Sequence, residues 1–241
     1  MFAATGAGCL VATAARAGAW ARDVGVYAEP TLAPGLRAVG RAFTAEQGAG
    51  VAVLTAPAPL LLAQIQHNAA HDLLIVPASF MDQAALLKYV QPRSRRPAGR
   101  NRLVVVAAAG TLPPAGADLA SLLAEGSIAV TDPTPADTLD GHAVLAALGL
   151  KPAHVFGVAD TGDAVAMVQS GAARFALVYQ TDARANAGLA VVATPDAAPP
   201  TDYAVALNPD PPSRNAQAFL DFLATGSSLG MLRRAGLEIA A

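Results

Sequence analysis

The chain has 241 residues, 54% of them hydrophobic and 14% charged, with a formal net charge of −2. That is ample for a sizeable core in one or two domains. The absence of a basic block and an aromatic content of 5% argue against an electrostatic or base-stacking nucleic-acid binder. No apolar run reaches the roughly 18–20 residues of a membrane span, and the single cysteine, Cys9, excludes an internal disulfide and a cysteine-based metal cluster.

Residues 1–21 read as an export signal. A short apolar segment ends in Ala19-Trp20-Ala21, a small-x-small triplet of the kind a signal peptidase accepts, so the mature chain is expected to begin at Arg22. Arg16 interrupts the apolar part and no Lys or Arg precedes it; the competing reading is an N-terminal tail.

From residue 22 onward the pattern alternates. DVGVYA reads as a strand, and TLAPGLRAVGRAFTAEQG as a helix with Leu32, Leu36, Val39 and Phe43 on one face. Thr31 stands at its start as an expected N-cap, and Gly48 at its end as a C-terminal stop. GVAVLTA is a second strand, and Pro59 opens a second helix. HDLLIVPA has the continuous apolar character of a buried parallel strand, with a helix after it around FMDQAALLKYV. The arginine-rich stretch 91–102 (QPRSRRPAGRNR) reads as a solvated loop, with an anion patch as the sharper alternative. LVVVAAA begins a second α/β block that runs through SIAVTDP, DGHAVLAALGL, HVFGVAD, DAVAMVQSGAA and RFALVYQTDA. The strands GLAVVATP and DYAVALNP follow, and a helical end piece is broken near Gly226. Strand and helix at this spacing mean βαβ units, hence an α/β fold of two lobes, each a mainly parallel sheet flanked by helices.

Catalytic signatures are missing. There is no G-x-S-x-G elbow and no glycine-rich phosphate fingerprint. His67 and His71 are four apart, but His71 falls where the helix gives way to the next strand, and no third metal ligand is evident. Asp132-Pro133 is a turn signal. Tyr179 is different: it ends an apolar strand, so its hydroxyl is expected either at the carboxyl end of the sheet, where ligands of open α/β sheets lie, or packed between the lobes.

These stretches together resemble the periplasmic molybdate-binding proteins of ABC importers, which are type II solute-binding proteins. DVGVYAEPTLAPGLRAVGRAFTAEQG matches the family's strand, hydroxyl residue and helix. GRNRLVVVA is close to Gly-Asn-Arg-Leu-Val-Leu-Val, and ALVYQTDA to Ile-Val-Tyr-x-Thr-Asp-Ala. HDLLIVPASFMDQ, IAVTDPTPA and NAQAFLDFLATG fit the corresponding family segments, and the likeness runs from about residue 22 to the end.

The resemblance implies a two-lobe, type II periplasmic-binding-protein fold. Lobe 1 would comprise residues 22–103 and 200–241, and lobe 2 residues 104–199. It implies a monomeric, periplasmic, non-enzymatic protein without a cofactor, which holds molybdate or tungstate between the lobes and delivers it to an ABC permease. Carried over by position, the ligand-binding residues are Thr31, Ala58, Thr161 and Tyr179, with backbone donors near Asp140 to His142; no protein metal ligands are implied. Helix N-termini and hydroxyls bind such an anion without a cation. Two departures stand out: the second serine is replaced within APAPL, and Glu29 adds a carboxylate beside the expected anion. The alternatives are the same scaffold retuned for another small solute, and a ligand-sensing regulatory domain.

Overall fold

The structure is a computed structural model that describes residues 23–239, apart from 115, 134–138, 196–197 and 212. The expected signal segment and its cleavage site lie outside the described residues.

Among the described residues, ten strands form two five-stranded sheets. The first contains β1 (Val24–Ala28), β2 (Val51–Thr55), β3 (Leu73–Pro77), β4 (Arg96–Asn101) and β10 (Thr201–Leu207), in the order β2-β1-β3-β10-β4. The second contains β5 (Leu103–Ala108), β6 (Ser127–Thr131), β7 (His154–Val158), β8 (Phe175–Tyr179) and β9 (Leu189–Ala193), in the order β7-β6-β8-β5-β9. In the first sheet only β10 opposes its neighbours, and in the second only β5 does, so four strands of each run the same way. Each sheet is therefore mainly parallel, as the βαβ spacing requires. Consecutive strands lie in different sheets at β4 and β5, joined by Arg102, and again at β9 and β10.

Helices cover both faces of the first sheet: α1 (Ala33–Gln47), α2 (Ala58–Gln66), α3 (Ala78–Leu86), α8 (Ala216–Leu223) and α9 (Gly226–Arg234). On the second lie α4 (Leu119–Ala124), α5 (Gly141–Ala147), α6 (Thr161–Ser170) and α7 (Gln180–Ala185). The stripe Leu32, Leu36, Val39 and Phe43 is buried against Val24, Val26 and helix α8, with Phe43 edge-on to Phe219 at 5.1 Å. Gly48 ends α1 at φ +70°, a conformation that glycine adopts without a Cβ penalty.

The arginine-rich stretch differs from its reading as a loop, because its second half is strand β4. β4 ends the row beside β10, and an edge strand tolerates both charge and Pro97. Four of the five arginines of the stretch 91–102 are paired with carboxylates: Arg95 with Asp82, Arg96 with Asp221, Arg100 with Asp202 and Arg102 with Glu238. Carboxylates thus offset most of the positive charge of the stretch.

Candidate functional site between the sheets

Strand β1 runs out at Ala28, and the chain turns through a 3-10 segment, Pro30–Leu32, into α1. Thr31 was expected to cap that helix and does not; neither the turn nor α1 has a side-chain cap. The amides it could serve are satisfied or missing. Leu32 N donates to Glu29 O at 3.1 Å, Ala33 N donates to Pro30 O, and Pro34 has no N–H. The buried Thr31 hydroxyl instead reaches the other sheet.

There it joins a relay of hydrogen bonds. Asn101 Nδ2 donates to Thr181 Oγ1 at 2.8 Å, and Thr181 and Thr31 share a hydrogen bond. Thr31 Oγ1 donates to Asp182 Oδ1 at 2.9 Å. A hydroxyl has one proton, so with Thr31 committed to the carboxylate, Thr181 is the donor to Thr31. The chain runs from Asn101 at the end of β4, through both threonines, into a carboxylate on α7. Bonds polarised in series in this way strengthen one another.

Asp182 also accepts from Tyr179 N at 3.2 Å, and the Thr161 hydroxyl at the start of α6 lies near enough to help hold its pKa down. Burial pushes its pKa above the ordinary 3.8; the bonds from Thr31, Thr161 and the Tyr179 amide oppose that, and the charge of Asp160 adds to it. Three of the four expected ligand-binding residues, Thr31, Thr161 and Tyr179, thus converge on one carboxylate.

The fourth, Ala58, meets a different carboxylate. Helix α2 begins at Ala58 with Pro57 before it and no side-chain cap of its own. Its first amide donates to Glu29 Oε1 at 2.7 Å, and Glu29 is only 5% exposed. Glu29 points inward and occupies the helix start at which the resemblance places an anion contact.

The tyrosines complete the cluster. Tyr179 is buried, and its hydroxyl lies 3.3 Å from Thr201 Oγ1, beside the second passage between the sheets. The Tyr203 hydroxyl is buried with no hydrogen bond of regular geometry. Burial, then Tyr179, Glu29 and Asp182, push its pKa well above 10.0, so it stays a protonated donor. Asn101 Oδ1 is likewise buried without a partner. Near the other expected donors the helix starts carry their own caps: Asp140 accepts from Ala143 N and Asp160 from Asp163 N, both at 2.9 Å.

Asn101, Thr181, Asp182 and Tyr203 were not singled out from the sequence. The first three lie inside the stretches GRNRLVVVA and ALVYQTDA, whose family likeness was the available signal. The two histidines do not form a metal pair. α2 stops at Gln66, His71 stacks on Tyr27 beyond the helix, and no group of three or more potential metal ligands occurs among the described residues.

Two lobes with a polar cluster on the strand ends between them define a type II solute-binding protein. The model of the bacterial extracellular solute-binding protein family matches residues 24–238, and the chain belongs to that family. The molybdate-binding protein ModA of Escherichia coli is 29% identical over 97% of this chain and 96% of its own. The periplasmic molybdate-binding protein of Azotobacter vinelandii superposes with a TM-score of 0.76 at 17% identity, covering 91% of this chain and 100% of that one. The substrate-binding domain of a molybdenum ABC transporter from Clostridium difficile gives 0.71 at 22%, over 90% and 99%. Peb3 of Campylobacter jejuni gives 0.67 at 15%, over 90% and 100%. The resemblance to periplasmic molybdate-binding proteins therefore holds in both sequence and fold.

Proposed function

We propose that this protein is the periplasmic receptor of an ABC importer and that it binds a small tetrahedral oxyanion between its lobes. The lobes, residues 22–103 with 200–241 and residues 104–199, would move about the two passages, and the loaded protein would dock on a permease. One observation carries this reading. The four positions expected to hold an anion all meet carboxylates: the Thr31 hydroxyl and the Tyr179 amide donate to Asp182, Thr161 lies beside it, and the Ala58 amide donates to Glu29. Groups that bind an internal carboxylate have the geometry and polarity to bind an external oxyanion. Molybdate and tungstate are candidates because a relative of this chain is a molybdate-binding protein. The reading involves no catalysis and no cofactor. Glu29 is the observation that favours the second reading, a scaffold retuned for another solute.

The test is a thermal-shift panel of molybdate, tungstate, sulfate, phosphate and small organic acids. A solute bound only by the folded state stabilises it by about 2.7 kcal/mol at a hundred-fold excess over Kd. A shift with at least one oxyanion supports the proposal. Shifts with amines or neutral solutes alone would transfer support to the second reading.

A further inference from the structure

Glu29 does what no local residue does for α2. This nine-residue helix has no side-chain cap, and its first amide is held by a carboxylate 29 positions earlier in the chain. A second feature points to a solute at the same place. Tyr203 is 2% exposed, its hydroxyl lacks a regular partner, and it is near enough to Glu29, Asp182 and Tyr179 to feel all three. Among the described residues, no buried polar side chain is a lysine or arginine, so no buried cation offsets the two carboxylates.

We propose that Glu29 is the specificity-determining residue of the cleft, and that the solute is a tetrahedral oxyanion that keeps a proton of its own, of the hydrogen phosphate or hydrogen arsenate kind. This rests on the oxyanion reading above. An ionised carboxylate accepts hydrogen bonds and donates none. A fully deprotonated tetrahedral anion brings acceptors only, so it meets Glu29 lone pair to lone pair with like charge. A protonated oxyanion turns its O–H to Glu29 in a charge-assisted bond, and another of its oxygens accepts from the Tyr203 hydroxyl. The carboxylate keeps its bond to Ala58 N, since its two oxygens together offer about four lone-pair sites. A site built around a hydrogen bond to its substrate rejects an analogue lacking that group by on the order of 10⁴-fold.

The experiment is calorimetric titration of wild type, Glu29→Gln and Glu29→Ala with inorganic phosphate, arsenate, molybdate and sulfate. Mildly alkaline pH keeps the last two fully deprotonated while phosphate retains a proton. Melting curves of the three proteins verify that they are folded. Wild type is expected to bind phosphate and arsenate, with molybdate and sulfate weaker by on the order of 10⁴-fold. Glu29→Gln offers an N–H in place of the carboxylate and should gain molybdate affinity and lose the preference; Glu29→Ala should lose the preference through absence of the acceptor. Wild type binding molybdate at least as tightly as phosphate, with the ratio unchanged in both variants, overturns the role of Glu29 and leaves the oxyanion reading intact. Binding of none of the four anions by any of the three folded proteins overturns the oxyanion reading, and this inference with it.

Discussion

Replacing Thr31 with valine keeps the shape of the side chain and deletes its hydroxyl. In the structure that hydroxyl donates to Asp182 at 2.9 Å and accepts from Thr181. A hydrogen bond to a charged acceptor contributes about 1.5–3 kcal/mol and a neutral one about 0.5–1.5 kcal/mol. Thr181 recovers part of this by turning its own proton elsewhere, so the expected net loss is about 2 kcal/mol. For a chain of this length that lowers Tm by roughly 4–8 °C. Because both bonds join one sheet to the other, the loss should fall on the contact between lobes rather than within either. If the lobes separate as rigid bodies, the closed-to-open ratio drops by roughly 30-fold. Small-angle scattering reads the opening, and differential scanning calorimetry reads Tm. Thr31→Ser, which keeps the hydroxyl, is the control and should stay near wild type in both. A valine variant with unchanged Tm and unchanged scattering would refute the relay as a link between the lobes.

Asp182 gives a pH test of opposite sign to the common carboxylate case. Burial raises its native pKa, so the folded state holds the proton more tightly than the unfolded state, and its contribution is lost as pH rises from 3.8 through the native value. The stability difference between wild type and Asp182→Asn, from urea titrations, should therefore move against wild type across that window and level off above it. His71 works in the other direction: burial lowers its pKa from 6.5, so wild type should lose stability relative to His71→Leu as pH falls below 6.5. A Cβ at Gly141 would lie 2.6 Å from Val130 Cβ and 2.9 Å from Thr131 N, so Gly141→Ala should cost about 1–3 kcal/mol by overpacking the start of α5, read as a lower urea midpoint. Arg100→Ala removes an exposed pair with Asp202 and should leave both Tm and oxyanion affinity unchanged, whereas loss of affinity would restore the anion-patch reading of the arginine-rich stretch.

The α/β alternation was legible because buried parallel strands such as Leu73–Pro77 are continuous apolar runs, and because α1 carries its stripe at helical spacing. Strand β4 was not legible. Its residues Arg96–Asn101 are those of a loop, and it is a strand only because β10 offers a row of unpaired backbone groups more than a hundred residues later. The same limit applied to the site. Strand spacing singled out Tyr179 and the family likeness gave Thr31 and Thr161 a ligand role, but local sequence places Thr31 as a cap. Only the tertiary structure shows that the turn has already consumed the amides it would serve and that Asp182 accepts the hydrogen bond of its hydroxyl. Glu29 was visible as an anomaly. Its direction was not, because a side chain after a strand end can face solvent or the next helix start, and the contact with Ala58 spans 29 residues.

The central claim is that the cluster joining Glu29, Thr31, Ala58, Tyr179 and Asp182 is where the solute binds. The most direct measurement is hydrogen exchange, resolved to short peptides, on the protein with and without a saturating oxyanion identified by the panel. The account predicts added protection concentrated in the segments 28–33, 57–61 and 179–183, from both lobes at once, with little change in the arginine-rich strand. Saturating binding that protects neither the start of α2 nor the start of α7 would contradict it.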